Sequence, residues 1–322
     1  MDTMSDSQLM TRAAWLYYVG GLNQEGTAKR MGITRARVNK LLSQAREAGL
    51  VSIAINELDV GLLAEEEAIR AEFGLEFCIT TPSIGLTDAD HIGQSNIAFS
   101  MVGAAAAKYL RGQLASNSKL IVGTGWGRTL AQVSRNLSGV VTPNAKFLSL
   151  MGSLTSNSSY NPFEVVHAMA QATRAECYFI PAPFIADSES DREVFLSQRS
   201  ISNAMALAKK TDLAFVSVGE LTENSLLRTQ NMISEEDLIS LRNQGAVGDT
   251  NGIFFDQNGE TVDHNLSRRI IAIEQPLLAR TKTVALSAGT EKLKATQAIL
   301  RSGTIKGLII DGDSAIELCK LI

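Results

Sequence analysis

The chain has 322 residues, 45% of them hydrophobic and 20% charged, with a net charge of −4. That composition excludes a disordered chain and allows one large or two ordinary globular domains. Cys78, Cys177 and Cys319 are too few and too scattered for a disulfide framework or a CxxC site, which points to the cytoplasm. Residues 1–30 interleave charges and lack the apolar stretch of a signal peptide. The most apolar run, Ile97 to Ala107, ends at Lys108 and falls short of the roughly twenty residues a bilayer needs, so no membrane partner is expected.

Charge is unevenly placed. Residues 1–55 hold seven Lys/Arg against four Asp/Glu, a balance of +3, which leaves −7 for the rest. A small basic head on an acidic body fits one module that meets phosphates and another that does not.

The head reads as three helices and a wing. Leu9, Ala13 and Leu16 repeat at helical spacing over Ser7–Val19, and Gly20-Gly21 stops that helix. A short helix over Gln24–Met31 is followed by Gly32, Ile33 and Thr34, the last a good N-cap for a third helix. Val38, Leu41, Leu42, Ala45 and Ala48 form the buried stripe of that helix, and Gly49 caps it. Leu50–Ile55 alternates like a wing strand. Opposite the stripe stand Ala36, Lys40, Ser43 and Glu47 with Asn39 nearby, flanked by Thr34, Arg35 and Arg37 in the first turn. Such a helix can enter a major groove, with the arginines reaching phosphates or guanine edges. The same pattern also suits a three-helix protein-interaction module. Residues 1–56 are thus expected to be a winged helix-turn-helix domain whose partner is double-stranded operator DNA. A helix within 57–74 is either a linker or the first helix of the next domain.

Residues 57–322 read as a doubly wound, mainly parallel α/β domain. Strands are expected at Phe77–Thr80, Leu120–Gly123, Lys146–Leu150, Cys177–Ile180, Leu213–Val218, Thr283–Leu286 and Gly307–Ile310, with helices between them. Three glycine-bearing loops stand where such a sheet holds ligands. Gly123, Thr124, Gly125, Trp126, Gly127, Arg128 and Thr129 join a strand to a helix, where backbone amides and the helix dipole favour an anion. A tight turn needs glycine in any case, and the loop matches neither nucleotide-binding signature, so no such cofactor is expected. Lys292 follows Gly289 in a first helical turn, where the dipole disfavours a cation unless a ligand faces it. Asp249 ends a Gly245–Gly248 loop before a hairpin turning at Asn258-Gly259, and either accepts from sugar hydroxyls or caps a turn.

The head "LYYVGGLNQEGTAKRMGITRARVNKLLSQAREAGLVSI" and, in order, "GTGWGRT", "NPFEVVHAMAQATRAECYFIPAPF", "GAVGDTNGIFFDQNG" and "SAGTEKLKATQAIL" resemble the SorC family of sugar-responsive regulators. The likeness covers nearly the whole chain. It implies a fold like that of sugar-phosphate isomerases and deaminases, with Thr124, Gly125, Asp249 and Lys292 in a pocket kept for sensing. It also implies a homodimer or homotetramer. Two departures stand out. Ala36, Arg37, Asn39 and Lys40 replace the family's usual Pro, Thr, Ser and Arg, so the operator does not carry over. Ala288 replaces a glycine and narrows backbone access to the ligand.

An isomerase or deaminase is the alternative. Such chemistry needs a carboxylate base and commonly a histidine. His91, His167 and His264 have no carboxylate placed by a motif, and no His/Cys/Asp/Glu group has metal-ligand spacing. The expectation is a regulator, without catalytic residues or metal, whose effector is a sugar phosphate, sugar or polyol.

Overall fold

The computed structural model describes residues 5–51, 62–85, 91–137, 139–154 and 160–322. The chain divides into two compact units, Met1–Asn56 and Glu57–Ile322.

In the first unit, α1 (Asp6–Ala14) opens on a capping box between Ser5 and Gln8. It runs into a π-helical turn, Trp15–Val19, so the expected first helix changes pitch before the glycines. α2 (Gln24–Met31) starts at the Asn23 cap and stops at Gly32, whose φ of +68° suits glycine. α3 (Arg35–Glu47) starts at Thr34, whose hydroxyl accepts from the Arg37 N–H at 3.2 Å. At its far end the N–H groups of Gly49 and Leu50 donate to the Arg46 and Ala45 carbonyls at 3.0 and 2.9 Å, a Schellman closure. Val38, Leu41 and Leu42 bury their side chains with Ala13 and Ala28, and Ala45 is buried beside them. Ala48 is exposed instead, because α3 ends before it and its place in the cap takes it off the packed face. Leu50 and Val51 belong to no strand, and the rest of the expected wing, from Ser52, lies outside the described residues.

In the second unit the strands, among the described residues, are β1 (Phe77–Thr80), β2 (Ile121–Thr124), β3 (Lys146–Ser149), β4 (Glu176–Tyr178), β5 (Leu213–Ser217), β6 (Gly219–Glu220), β7 (Ala246–Thr250), β8 (Ile253–Asp256), β9 (Lys282–Ser287) and β10 (Gly307–Ile310). The seven segments expected from sequence make one sheet in the order β1-β10-β9-β5-β2-β3-β4. Every pairing in it is parallel. Its strands are apolar on both faces, as a sheet covered by helices requires. Phe215 and Ile309 pack to one side with α5 (His91–Ser116), α6 (Arg128–Arg135) and α7 (Pro162–Thr173). Their neighbours Ala214, Val216, Leu308 and Ile310 pack to the other side with the helices Leu293–Arg301 and Gly312–Cys319. Helix α4 (Leu63–Phe73) belongs to that second layer, with Ile69 buried beside Leu75, Cys78 and Leu318. No helix among the described residues is long and apolar enough to cross a membrane.

The sequence reading lacks β6 and β7 and sets β8 in the hairpin at Asn258-Gly259; the three strands form an antiparallel meander. Asp249 therefore lies in a strand, not in a loop. β7 turns into β8 at Asn251-Gly252, whose φ values of +53° and +78° make the two-residue turn that suits strand twist. The hairpin expected at Asn258-Gly259 is reduced to a single bridge, Phe255 to Thr261.

Order along the main sheet fixes the site. β2 leads to β3 on one side, while β5 sits on its other side and leads toward β9. Strand order reverses between β2 and β5, and a crevice opens beyond the C-terminal ends of such strands.

Candidate functional site

At that reversal lies a cavity of about 40 Å³ lined by residues from both strand ends, among them Gly125–Thr129, Ser217–Glu220, Asp249, Asn251 and Lys292. The Gly125 N–H donates to the Phe215 carbonyl at 2.8 Å and pins the first loop to β5. Gly127, with φ +121°, starts α6 with no side-chain cap, so the first-turn amides of α6 are not met by a capping side chain. Trp126 walls the cavity and tilts against Phe184, 6.4 Å between ring centroids.

Two cations meet over one ring. The Arg128 guanidinium and the Lys292 ammonium stand 5.2 and 5.0 Å from the centroid of Phe99, a buried residue of α5. Phe99 thus offers both a cation–π contact. Lys292 is placed by its backbone: Gly289, with φ +99°, begins a 3-10 turn over Thr290–Lys292, and Asp311 Oδ2 holds the Gly289 N–H at 2.8 Å. Lys292 is 6% exposed. Its Nζ lies 4.0 Å from Glu220 Oε2, itself nearly buried. Burial pulls the ammonium below its ordinary range; Glu220 opposes the fall and Arg128 adds to it.

Asp249 faces the same space. Burial pushes its carboxyl up to about 7, against the Gly252 N–H that donates to Oδ2 at 3.2 Å and with the help of the Glu220 charge. Three more polar atoms of the lining, Thr129 Oγ1, Ser217 Oγ and Asn251 Oδ1, are buried and find no hydrogen-bond partner within the protein. A buried polar group without a partner costs about 1–3 kcal/mol. Chemically, one end of the cavity favours an anion and the other offers donors and acceptors to hydroxyl groups.

The structure brings Gly125, Trp126, Gly127, Arg128, Asp249 and Lys292 together. Gly123 and Thr124 stand apart, inside β2: a Cβ on Gly123 would meet Leu150 at 2.5 Å, and Thr124 is fully buried with its hydroxyl unpartnered. Ala288 is also fully buried. Sequence reasoning passed over Ser217, Glu220, Asn251 and Phe99. For Ser217 and Glu220 the available signal was their place at the C-terminal end of a strand and just beyond it, at the sheet's reversal; for Asn251 it was the Asn-Gly pair.

His264 and His167 play other parts. His264 Nδ1 accepts from the Leu266 N–H at 3.1 Å, and Nε2 is 3.0 Å from Ser240 Oγ. His167 is exposed and stacks on Phe163 at 5.7 Å; the His91 side chain is outside the description. Among the described residues no group of three His/Cys/Asp/Glu could hold a metal ion.

On the first unit, Arg35, Ala36, Asn39 and Lys40 are exposed along α3, Thr34 caps it, and Ser43 is half-buried. Arg37 is exposed too, and its guanidinium donates to Asp6 Oδ1 at 2.9 Å, an ion pair of the kind that exchanges readily at a surface.

The Sugar-bind family model, which describes a sugar-binding domain, matches residues 60–320. The erythritol catabolism regulatory protein EryD of Brucella abortus is 31% identical over 98% of this chain and 97% of its own. The transcriptional regulator LsrR of Klebsiella pneumoniae is 26% identical over 97% of this chain and 93% of its own. Among solved structures, the full-length sorbitol operon regulator SorC of Klebsiella pneumoniae superposes with a TM-score of 0.71 at 23% identity, covering 98% of this chain and 100% of that one. Motifs, sheet order and relatives agree: the chain belongs to the SorC family of sugar-responsive transcriptional regulators.

Proposed function

We propose that residues 1–56 form a winged helix-turn-helix domain that binds operator DNA, and that residues 57–322 bind a short-chain polyol, sugar or sugar phosphate that alters operator affinity. The observation that carries the effector half is the cavity at the β2–β5 reversal. It combines an uncapped helix N-terminus, two cations and three partnerless polar groups. A phosphate at the α6 end and hydroxyls near Asp249, Ser217 and Asn251 would answer each of these groups. The name of the relative EryD, which concerns erythritol catabolism, supports the four-carbon polyol class.

A ligand that favours one arrangement of the cavity walls shifts the population toward it. A coupling of about 1–3 kcal/mol changes operator affinity roughly five- to 150-fold. The assignment includes cytoplasmic location and a homodimer or homotetramer, because one head reads only a half-site.

A sugar-phosphate isomerase or deaminase is the second reading, favoured by one observation: Asp249, raised to about 7, lies near Lys292 as an acid–base pair would. Calorimetry against free and phosphorylated C4–C6 sugars and polyols, followed by mobility shifts with the ligand that binds, tests the regulator. A ligand that binds and leaves operator affinity unchanged refutes the switch. Turnover of that ligand would establish the enzyme.

A further inference from the structure

Gln24, the first residue of α2, reaches across to α3 and touches two residues of its outward face. Its Nε2 donates to Asn39 Oδ1, and its Oε1 accepts from Arg35 Nε at 3.2 Å. One half-buried amide thus ties together two exposed side chains eleven and fifteen positions away in sequence. From this geometry we propose that Gln24 is a positioning residue for base recognition: it turns the Asn39 carbonyl toward α2, presents the Asn39 amide N–H groups to the groove, and fixes the plane of Arg35. The inference rests on the DNA-binding reading of the head.

The consequence follows from what each base edge offers. A freely turning asparagine pairs with adenine through both its oxygen and its nitrogen, accepting from N6 and donating to N7. With Oδ1 drawn toward Gln24, Asn39 meets the groove chiefly as a donor, and donors select purine N7, guanine O6 or thymine O4. Arg35 spends Nε on Gln24 and keeps its terminal nitrogens, whose fork matches guanine O6 and N7 or a phosphate. Gln24 need not touch a base itself. It acts through the two residues it holds.

The test uses the full chain and a randomised operator library, read as base preference at each position, beside binding to unrelated DNA. Gln24→Met keeps the length of the side chain and loses both hydrogen bonds. It is expected to reduce discrimination about tenfold at one or two base pairs per half-site, with unrelated DNA bound as before and the thermal midpoint unchanged. Gln24→Glu keeps the acceptor for Arg35 and has no N–H for Asn39, so only the Asn39 position should change. In an Asn39→Ala background, Gln24→Met should alter that position no further. A preference profile that superposes on that of the parent protein, or equal loss of specific and unspecific binding, overturns the proposal. A parent protein that binds every sequence alike would refute the DNA-recognition reading beneath it, and this proposal with it.

Discussion

Gly219 stands opposite Asp249 across the β6–β7 pair, so close that a Cβ on the glycine would lie 2.1 Å from Asp249 Oδ1. The missing side chain at 219 is what lets the carboxylate occupy its buried position. Its neighbour Gly248 serves a parallel purpose: a Cβ there would meet Ala295 Cβ at 2.3 Å and push away the helix that follows Lys292.

Gly219→Ala is therefore expected to drive the Asp249 carboxylate from its place. Overpacking of this kind costs about 1–3 kcal/mol, and the effector affinity should fall at least about tenfold if one charged hydrogen bond is lost. Thermal unfolding and calorimetry on the same preparation give both values. An unaltered affinity would show that Asp249 does not face the ligand.

Acidity should tune the stability of the second unit. The folded carboxyl of Asp249 titrates at about 7, above the ordinary value of ~3.9 of an unfolded chain. Between those values the folded state holds a proton that the unfolded state has released. Stability then falls as pH rises through this window, and levels off above it. The full span corresponds to about 4 kcal/mol. Between pH 5 and pH 8 the expected loss is about 3 kcal/mol, read by denaturant unfolding at the two pH values; Asp249→Asn should flatten the slope, and an equal slope in the variant would remove Asp249 as its source.

The two cations over Phe99 should distinguish ligands by charge. Lys292→Met and Arg128→Ala are expected to weaken a phosphorylated ligand roughly tenfold to 100-fold, the worth of one charged hydrogen bond, and a neutral polyol much less. Equal losses for both ligands in both variants would mean that neither cation meets a phosphate.

Thr124 offers a contrasting case. Its hydroxyl is fully buried in β2, outside the lining of the cavity, and without a partner in the protein. Thr124→Val keeps the shape and removes that hydroxyl, so it should stabilise the fold by about 1 kcal/mol and leave effector affinity unchanged. A fall in affinity would place Thr124 back among the binding groups.

Thr34 caps α3, the helix proposed to read DNA. Thr34→Ala should cost about 1 kcal/mol and lower operator affinity, while Thr34→Ser should retain both. Circular dichroism melting and mobility shifts on the two variants decide it.

Much of this architecture was open to a reader of the sequence, for physical reasons. Buried parallel strands such as Leu213–Ser217 and Gly307–Ile310 are short apolar runs between helices, and all seven could be located. β6 and β7 of the meander could not. β6 has only two residues, and β7, Ala246–Thr250, contains a glycine and an aspartate where strands favour β-branched residues. Its turn at Asn251-Gly252 was overshadowed by the second Asn-Gly pair at 258–259. The site followed the same division. Residues in glycine-rich strand ends were visible, whereas Phe99 is one apolar residue within a 26-residue helix, and only the folded chain brings it beneath two charges.

Sheet order also sets a timetable for synthesis. β1, near the start of the second unit, pairs with β10, near the end of the chain, and Ser83 donates to Asp313 across 230 positions of sequence. A ribosome adding about 5–20 residues per second needs on the order of 10–50 s to cover that span. Throughout that interval β1 has no strand to pair with, and Cys78 lacks the neighbours that later bury it. The first unit, whose contacts are local, is complete long before. A synthesis halted before β10 would leave the first unit complete and β1 without its partner strand in the main sheet.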